Sequence, residues 1–352
     1  DGSYKIFGQK IFITYGDHDM AENIIHLVLA RTPTAPEGVK GISLFVVPKF
    51  LVHADGSLGE RNDAYCVSIE HKLGIHASPT AIMAFGDHSG AIGHLVGEEN
   101  RGLEYMFIMM NAARFGVGLE GVAVCERSYQ RARDYARERI QCTDIGVRGG
   151  PKVPIVRHPD VRRMLMTMKS RAEATRALAY VVAAAHDAAV HHSDAGERRR
   201  NQAFVDLMIP VVKGWSTESG VTMASMGVQV HGGMGYVEET GAAQHLRDAQ
   251  ISTIYEGTTG IQANDLIGRK MAREGGATLQ AVIGMMRALD ADLAAQNGAN
   301  FAAIRSGLAA AVYALARAGD WIVATYGADV RAASAGAVPF LTLLGIVAGG
   351  WQ

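Results

Sequence analysis

The chemistry-bearing residues of this 352-residue sequence crowd into one stretch, QVHGGMGYVEETGAAQHLRDAQISTIYEGTTGIQANDLIGR, from Gln229 to Arg269. Glu256 sits in Tyr255-Glu256-Gly257-Thr258, just before a helical pattern. A carboxylate there is either a capping group, because acids suit helix N-termini, or a general base held among the apolar side chains of Ile251, Ile254 and Tyr255. Upstream, His231-Gly232-Gly233-Met234-Gly235 invites a dinucleotide fingerprint. That fingerprint needs a preceding strand and a third glycine three residues past the second. Counted from Gly233 and Gly235, the position holds Glu238, so the match fails. The glycines would still let backbone approach a flat or charged ligand closely, or else they form a tight interhelical loop.

Other clusters are weaker. Asp17-His18-Asp19 has metal-ligand chemistry, but three adjacent residues in one loop cannot complete a site. His186, His191 and His192 lack the i, i+4 spacing of a helical zinc motif, and no metal site is expected. Neither a G-x-S-x-G elbow nor a Walker A sequence occurs. Met164, Met166 and Met168 read as core and flank residues. Cys66, Cys125 and Cys142 are odd in number and widely spaced, which argues against a disulfide framework and fits reduced thiols in a cytoplasmic setting. Lys+Arg 34 against Asp+Glu 35 gives a net charge of −1, which argues against a nucleic-acid binder. The local exception, Arg198-Arg199-Arg200 beside Glu197, reads as a solvated loop.

The elements that must position these residues fall into three regions. Roughly the first 95 residues read as β: a hairpin of Tyr4–Phe7 with Lys10–Thr14, then strands near 23–31, 41–47, 65–70 and 80–85, forming a small barrel or sandwich. From Gly102 the texture becomes helical, with Leu103, Met106, Phe107 and Met110 at helical spacing. Helices are expected from 102 to about 139, from Pro159 towards His191, from Gln202 to Met226 with a kink at Pro210, and from Thr258 to Met271. Four such helices suggest an antiparallel bundle. After Gly275-Gly276 an Ala-rich stretch predicts two or three more helices. The uncharged segment Ala332–Trp351 is too interrupted by Pro339 and glycines for a stable membrane span, and reads as a buried helix. The fold class is therefore α+β, with divisions at 1–96, 97–272 and 273–352.

In order along the chain, KIFITYGD, KLGIHASPT, LVGEENRGL, NAARFGVGLEG, YARERIQC, QVHGGMGY and IYEGTTGIQ together resemble the acyl-CoA dehydrogenase family from its middle β-domain onward. The tail ending FLTLLGIVAGGW resembles a C-terminally extended bacterial branch whose substrates include 3-methylthiopropanoyl-CoA. Family members carry an N-terminal helical domain and a flavin loop ahead of this point, so the sequence is expected to lack both, and to be short at Gln352 too. The resemblance implies FAD-dependent oxidation of an acyl-CoA to its trans-2-enoyl-CoA, with electron-transfer flavoprotein as acceptor and a homodimeric state. Alternatives are an oxidase that uses oxygen, or a catalytically incomplete piece unable to hold FAD.

By the same resemblance Glu256 is the base that removes the α-proton. Phe12, Ile13 and Thr14 match the strand against the flavin ring. Arg139 and Gln141 match the FAD-binding motif on the long helix, with Cys142 where phenylalanine is common. Gln229, Gly232 and Gly233 match the FAD-contacting loop, and Thr258 a further cofactor contact, with Gly260 replacing a frequent glutamine. Asn111 and Arg114 match the pattern beside the CoA ester, and Tyr255 and Gly257 line the acyl group.

Overall fold

A computed structural model describes residues 2–352, which divide into two compact units with the boundary between residues 112 and 113. The first unit holds β1 (Ser3–Ile6), β2 (Gly8–Thr14), β3 (Ile25–Ala30), β4 (Ser43–Pro48), β5 (Phe50–Val52), β6 (Leu58–Arg61), β7 (Ala64–Ile69), β8 (Thr80–Phe85) and β9 (Ala91–Leu95). One antiparallel sheet runs β1-β9-β4-β3, a second β2-β8-β7, and β5 pairs with β6. Ile6, Val28, Phe45, Val47, Ala81, Met83 and Phe85 from the two larger sheets share one core, as in a sandwich. β4 (SLFVVP) is apolar almost throughout because it lies inside its sheet and is buried along nearly its whole length.

The expected hairpin of Tyr4–Phe7 with Lys10–Thr14 does not form. β1 pairs with β9 and β2 with β8, so the chain passes from one sheet to the other between Ile6 and Gly8. Gly8, with φ +132°, makes that crossing possible, since a side chain there would be strained. The segment read as a turn is a corner.

α1 (Gly102–Glu138) begins in the first unit and continues into the second. The second unit adds β10 (Ile140–Thr143), β11 (Lys152–Pro154), α2 (Pro159–His191), α3 (Ala195–His231), α4 (Ala242–Gln250) and α5 (Thr259–Asp265). It is completed by α6 (Ala277–Ala294), α7 (Ala299–Tyr326), α8 (Val330–Ala335) and α9 (Ala337–Trp351). α1 and α7 are long and apolar enough to cross a bilayer by length and composition, a property that core helices share.

α3 starts earlier than the polar sequence Ser193–Asn201 suggests. Asp194 caps it by accepting the Glu197 N–H at 2.8 Å, and Arg200 pairs with Glu197 one turn on. The arginine run thus opens a helix instead of forming a loop, and Arg198 donates to the carbonyls of His192 and Ser193. α3 remains one helix through Pro210. From Phe204 to Gly220 it is enclosed almost all round, which marks it as the central helix of its unit. The expected fourth bundle helix spans Thr259–Met271, α-helical as α5 to Asp265 and then π-helical over Leu266–Met271.

Glycines mark the tightest helix contacts. A Cβ on Gly121 of α1 would stand 2.5 Å from the Ser216 backbone of α3. Gly345 and Gly349 of α9 lie on the Trp215 ring, with a Cβ at Gly345 only 2.3 Å from its Cγ. The glycines that seemed to weaken a C-terminal helix therefore let it dock, and Gly336 separates α8 from α9. Gly121→Ala is expected to destabilise by about 1–3 kcal/mol through overpacking. Gly116→Ala, where nothing stands within 4 Å, should stabilise by up to about 1 kcal/mol. Thermal unfolding of the two variants checks the contrast.

Candidate active site

Glu256 lies between Thr253 and α5 with φ +54°, and Gly257 follows at +92°. A left-handed glutamate is uncommon and costs on the order of 1–3 kcal/mol, so its surroundings must impose it. Two donors, each wholly enclosed, do so. The Lys213 ammonium donates to the Gly257 carbonyl at 2.7 Å, and Gln262 Nε2 donates to the carbonyls of Glu256 and Gly257 at 3.1 and 3.3 Å. Among the described residues the Glu256 carboxylate has no cation within 4.0 Å, and its backbone N–H meets no acceptor.

The flanking residues are tied into helices. Thr258 caps α5, its hydroxyl accepting the Ile261 N–H at 3.3 Å, so the capping role available to Glu256 falls to Thr258. Thr259 donates to Glu218 of α3 at 2.6 Å. The Tyr255 hydroxyl donates to Glu120 of α1, and burial followed by that carboxylate pushes its pKa up. Burial lowers the Lys213 pKa to about 8, although Glu218, Glu256 and Glu120 oppose the shift. Arg114 pairs with Asp265 at 3.1 Å with both side chains buried, and Asp265 also takes Arg269 at 2.7 Å.

A second cluster forms where the end of α1 meets the end of α3. Tyr135, Arg139, Gln141, Cys142, Gln229, His231, Gly232 and Gly233 line a cleft of about 760 Å³. It brings together five residues read as cofactor-binding, Arg139, Gln141, Gln229, Gly232 and Gly233. Their chemistry suits an anionic cofactor: a guanidinium, two amides and glycine backbone with open space where side chains would stand. His231 underlies the glycines, stacked on Tyr135 at 4.3 Å with Nδ1 2.7 Å from the Gly227 carbonyl. Burial lowers its pKa, which favours the neutral ring.

The remaining positions lie elsewhere. Phe12, Ile13 and Thr14 belong to the first unit, at a register shift where β2 bulges against β8. Phe12 takes φ +59° and is 68% exposed, whereas Ile13 and Thr14 line a cleft of about 460 Å³ with His26 and Tyr105. Cys142 also has a positive φ, at the register shift of β10. Asn111 lies on α1 in the first unit, one turn before Arg114 in the second. Asp17 is engaged by Lys49 at 2.7 Å and Arg61 at 3.0 Å.

Sequence reading passed over Lys213, Gln262, Asp265, Glu120 and Glu218. Lys213 carried a signal: a lone cation inside the apolar run Leu207–Trp215 needs a buried acceptor. The others show only once the helices are packed. Asp265→Asn should destabilise by about 3–5 kcal/mol, because the buried carboxylate that pairs with Arg114 is neutralised. Denaturant unfolding measures this, and a loss under about 1 kcal/mol would mean that the pair contributes little.

Residues 100–271 match the family profile "Acyl-CoA dehydrogenase, C-terminal domain", and residues 277–352 match "Acetyl-CoA dehydrogenase C-terminal like". The chain is 53% identical over all 352 residues to the 3-methylmercaptopropionyl-CoA dehydrogenase of Ruegeria pomeroyi, and spans 59% of that relative. Its fold is similar to Caenorhabditis elegans ACDH-11 in complex with C11-CoA (TM-score 0.75, 24% identity, 100% of this chain and 55% of that one). It is also similar to an acyl-CoA dehydrogenase complexed with FAD from Bacillus anthracis (TM-score 0.74, 20% identity, 99% of this chain and 56% of that one).

Proposed function

Because this chain belongs to the acyl-CoA dehydrogenase family, we propose that the protein containing it oxidises an acyl-CoA thioester to the trans-2-enoyl-CoA, with Glu256 as the base. The observation that carries the reading is the left-handed Glu256, held by its own backbone while its carboxylate and N–H stay unengaged. The Glu256 carboxylate takes the α-proton, and the electron pair left on Cα forms the double bond as hydride departs from Cβ. FAD, when bound, supplies the two-electron acceptor for that hydride.

The chain's own residues prepare the proton transfer. A thioester α-proton is acidic enough only when its carbonyl is polarised, and the free Glu256 N–H is a donor of the kind that task needs. Tyr255 and Gly257 flank the base and border the acyl group, and Tyr255 is fixed by Glu120. Asn111 and Arg114 serve the thioester end. Arg139, Gln141, Gln229, Gly232, Gly233 and Thr258 would hold the cofactor's polar parts, and Phe12, Ile13 and Thr14 its ring. The donor set around Arg139 fits a pyrophosphate by charge and fork geometry.

The substrate we propose is 3-methylthiopropanoyl-CoA, supported by the 53% identity to a relative named for it. Electron-transfer flavoprotein is the proposed acceptor, a homodimer the proposed assembly and the cytoplasm the proposed location, the last consistent with three free cysteines.

Visible spectroscopy of the intact protein tests the reading: acyl-CoA should bleach the flavin band without oxygen. Glu256→Gln should retain FAD and lose bleaching by roughly 100- to 10,000-fold in rate. Retained turnover in that variant would remove Glu256 from its role. Arg139→Ala should weaken FAD binding by about tenfold or more with the base intact. Pentanoyl-CoA, the all-carbon analogue, is expected to react more slowly than the thioether, and an equal rate would overturn the substrate assignment.

A further inference from the structure

Lys213 is an ammonium with no exposed surface, placed in the middle of the enclosed segment of α3. Such a group persists only where acceptors replace its lost water. Its bonded acceptor is the Gly257 carbonyl at 2.7 Å, next to the base. The charged groups facing it come from every side: Glu218 on α3, Glu256 on the loop, and Glu120 and Arg114 on α1. Gln262, on α5, reaches the same two carbonyls from the other flank. The positive φ of Glu256 and Gly257 thus coincides with inward-turned carbonyls met by two enclosed donors. Remove the stronger donor, and the Gly257 carbonyl keeps only a 3.3 Å amide contact.

We propose that Lys213 is a positioning residue for the Glu256 base, its ammonium acting as a clamp on the Gly257 carbonyl that fixes the backbone of residues 256–257. This rests on reading Glu256 as the base. The clamp acts through the backbone and touches no reacting atom. Its effect belongs to the chemical step, because a base displaced by a fraction of an ångström still permits substrate to bind but slows proton transfer.

The test uses the intact, FAD-loaded protein. Lys213→Met keeps the chain length and donates nothing. It should lower kcat roughly 10- to 100-fold while KM moves by less than about twofold. Hydrogen exchange gives a readout independent of turnover: amides of residues 255–258 should lose protection while the α3 amides keep theirs. If the Met variant does not accumulate, Lys213→Gln, which retains a shorter N–H donor, is read by the same two measures with smaller losses. Unchanged exchange at 255–258 with kcat within about twofold of wild type overturns the proposal. So does exchange that rises across α3 as much as in the loop, since that marks a merely structural lysine. Glu256→Gln run in parallel separates the two readings. If it still turns over, the base assignment fails, and the exchange experiment alone decides whether the clamp exists.

Discussion

A charge enclosed in an apolar interior must be given acceptors, and in this protein that requirement links the central helix to the backbone at Glu256 and Gly257. α3 buries nearly every position from Phe204 to Gly220, Lys213 among them. Its ammonium cannot reach water, so chain from outside the helix must supply an oxygen. The Gly257 carbonyl does so, and turning it inward brings with it the left-handed backbone at Glu256. Local strain is therefore maintained by a core interaction, the arrangement expected where a reactive group must not wander. The buried Arg114–Asp265 pair sits beside it and ties α1 to α5 by the same electrostatic logic.

The two second-unit clusters follow different physics. Around Glu256 the backbone is over-determined by enclosed donors, and the carboxylate is the group left free. Around Arg139 and Gly232–Gly233 the side chains are exposed and the cleft is open, which suits a large anionic ligand approached by backbone and guanidinium together. One site restricts geometry and the other offers surface.

Much of this was legible in the sequence. Helical spacing and Pro159 located α1 and α2 well, since long periodic segments carry many redundant signals. The hairpin at Tyr4–Thr14 was misread because alternation reports strands and not partners, and Gly8 serves a corner as readily as a turn. The start of α3 was obscured by three arginines, although Asp194 and Glu197 already spelled a cap. The positive backbone angle of Glu256 left no trace in the sequence, nor did those of Phe12 and Cys142, because none is a glycine or asparagine. Asp265, Glu120 and Glu218 are separated by long stretches from the residues they meet, and such pairings emerge only from packing.

The contact of α9 with Trp215 bears on how the polypeptide divides. The family profiles break between residues 271 and 277, as though an independent appendage began there. The core recognises no such seam. Val205, Trp215, Leu279, Val312, Phe340 and Leu344 belong to one buried cluster, and the indole under Gly345 and Gly349 is two residues from Lys213. What reads as an accessory in the order of motifs is, mechanically, part of the same interior as the central helix α3. Substitutions on α9 that disturb this shared interior are therefore felt along α3, on whose Trp215 the α9 glycines are seated.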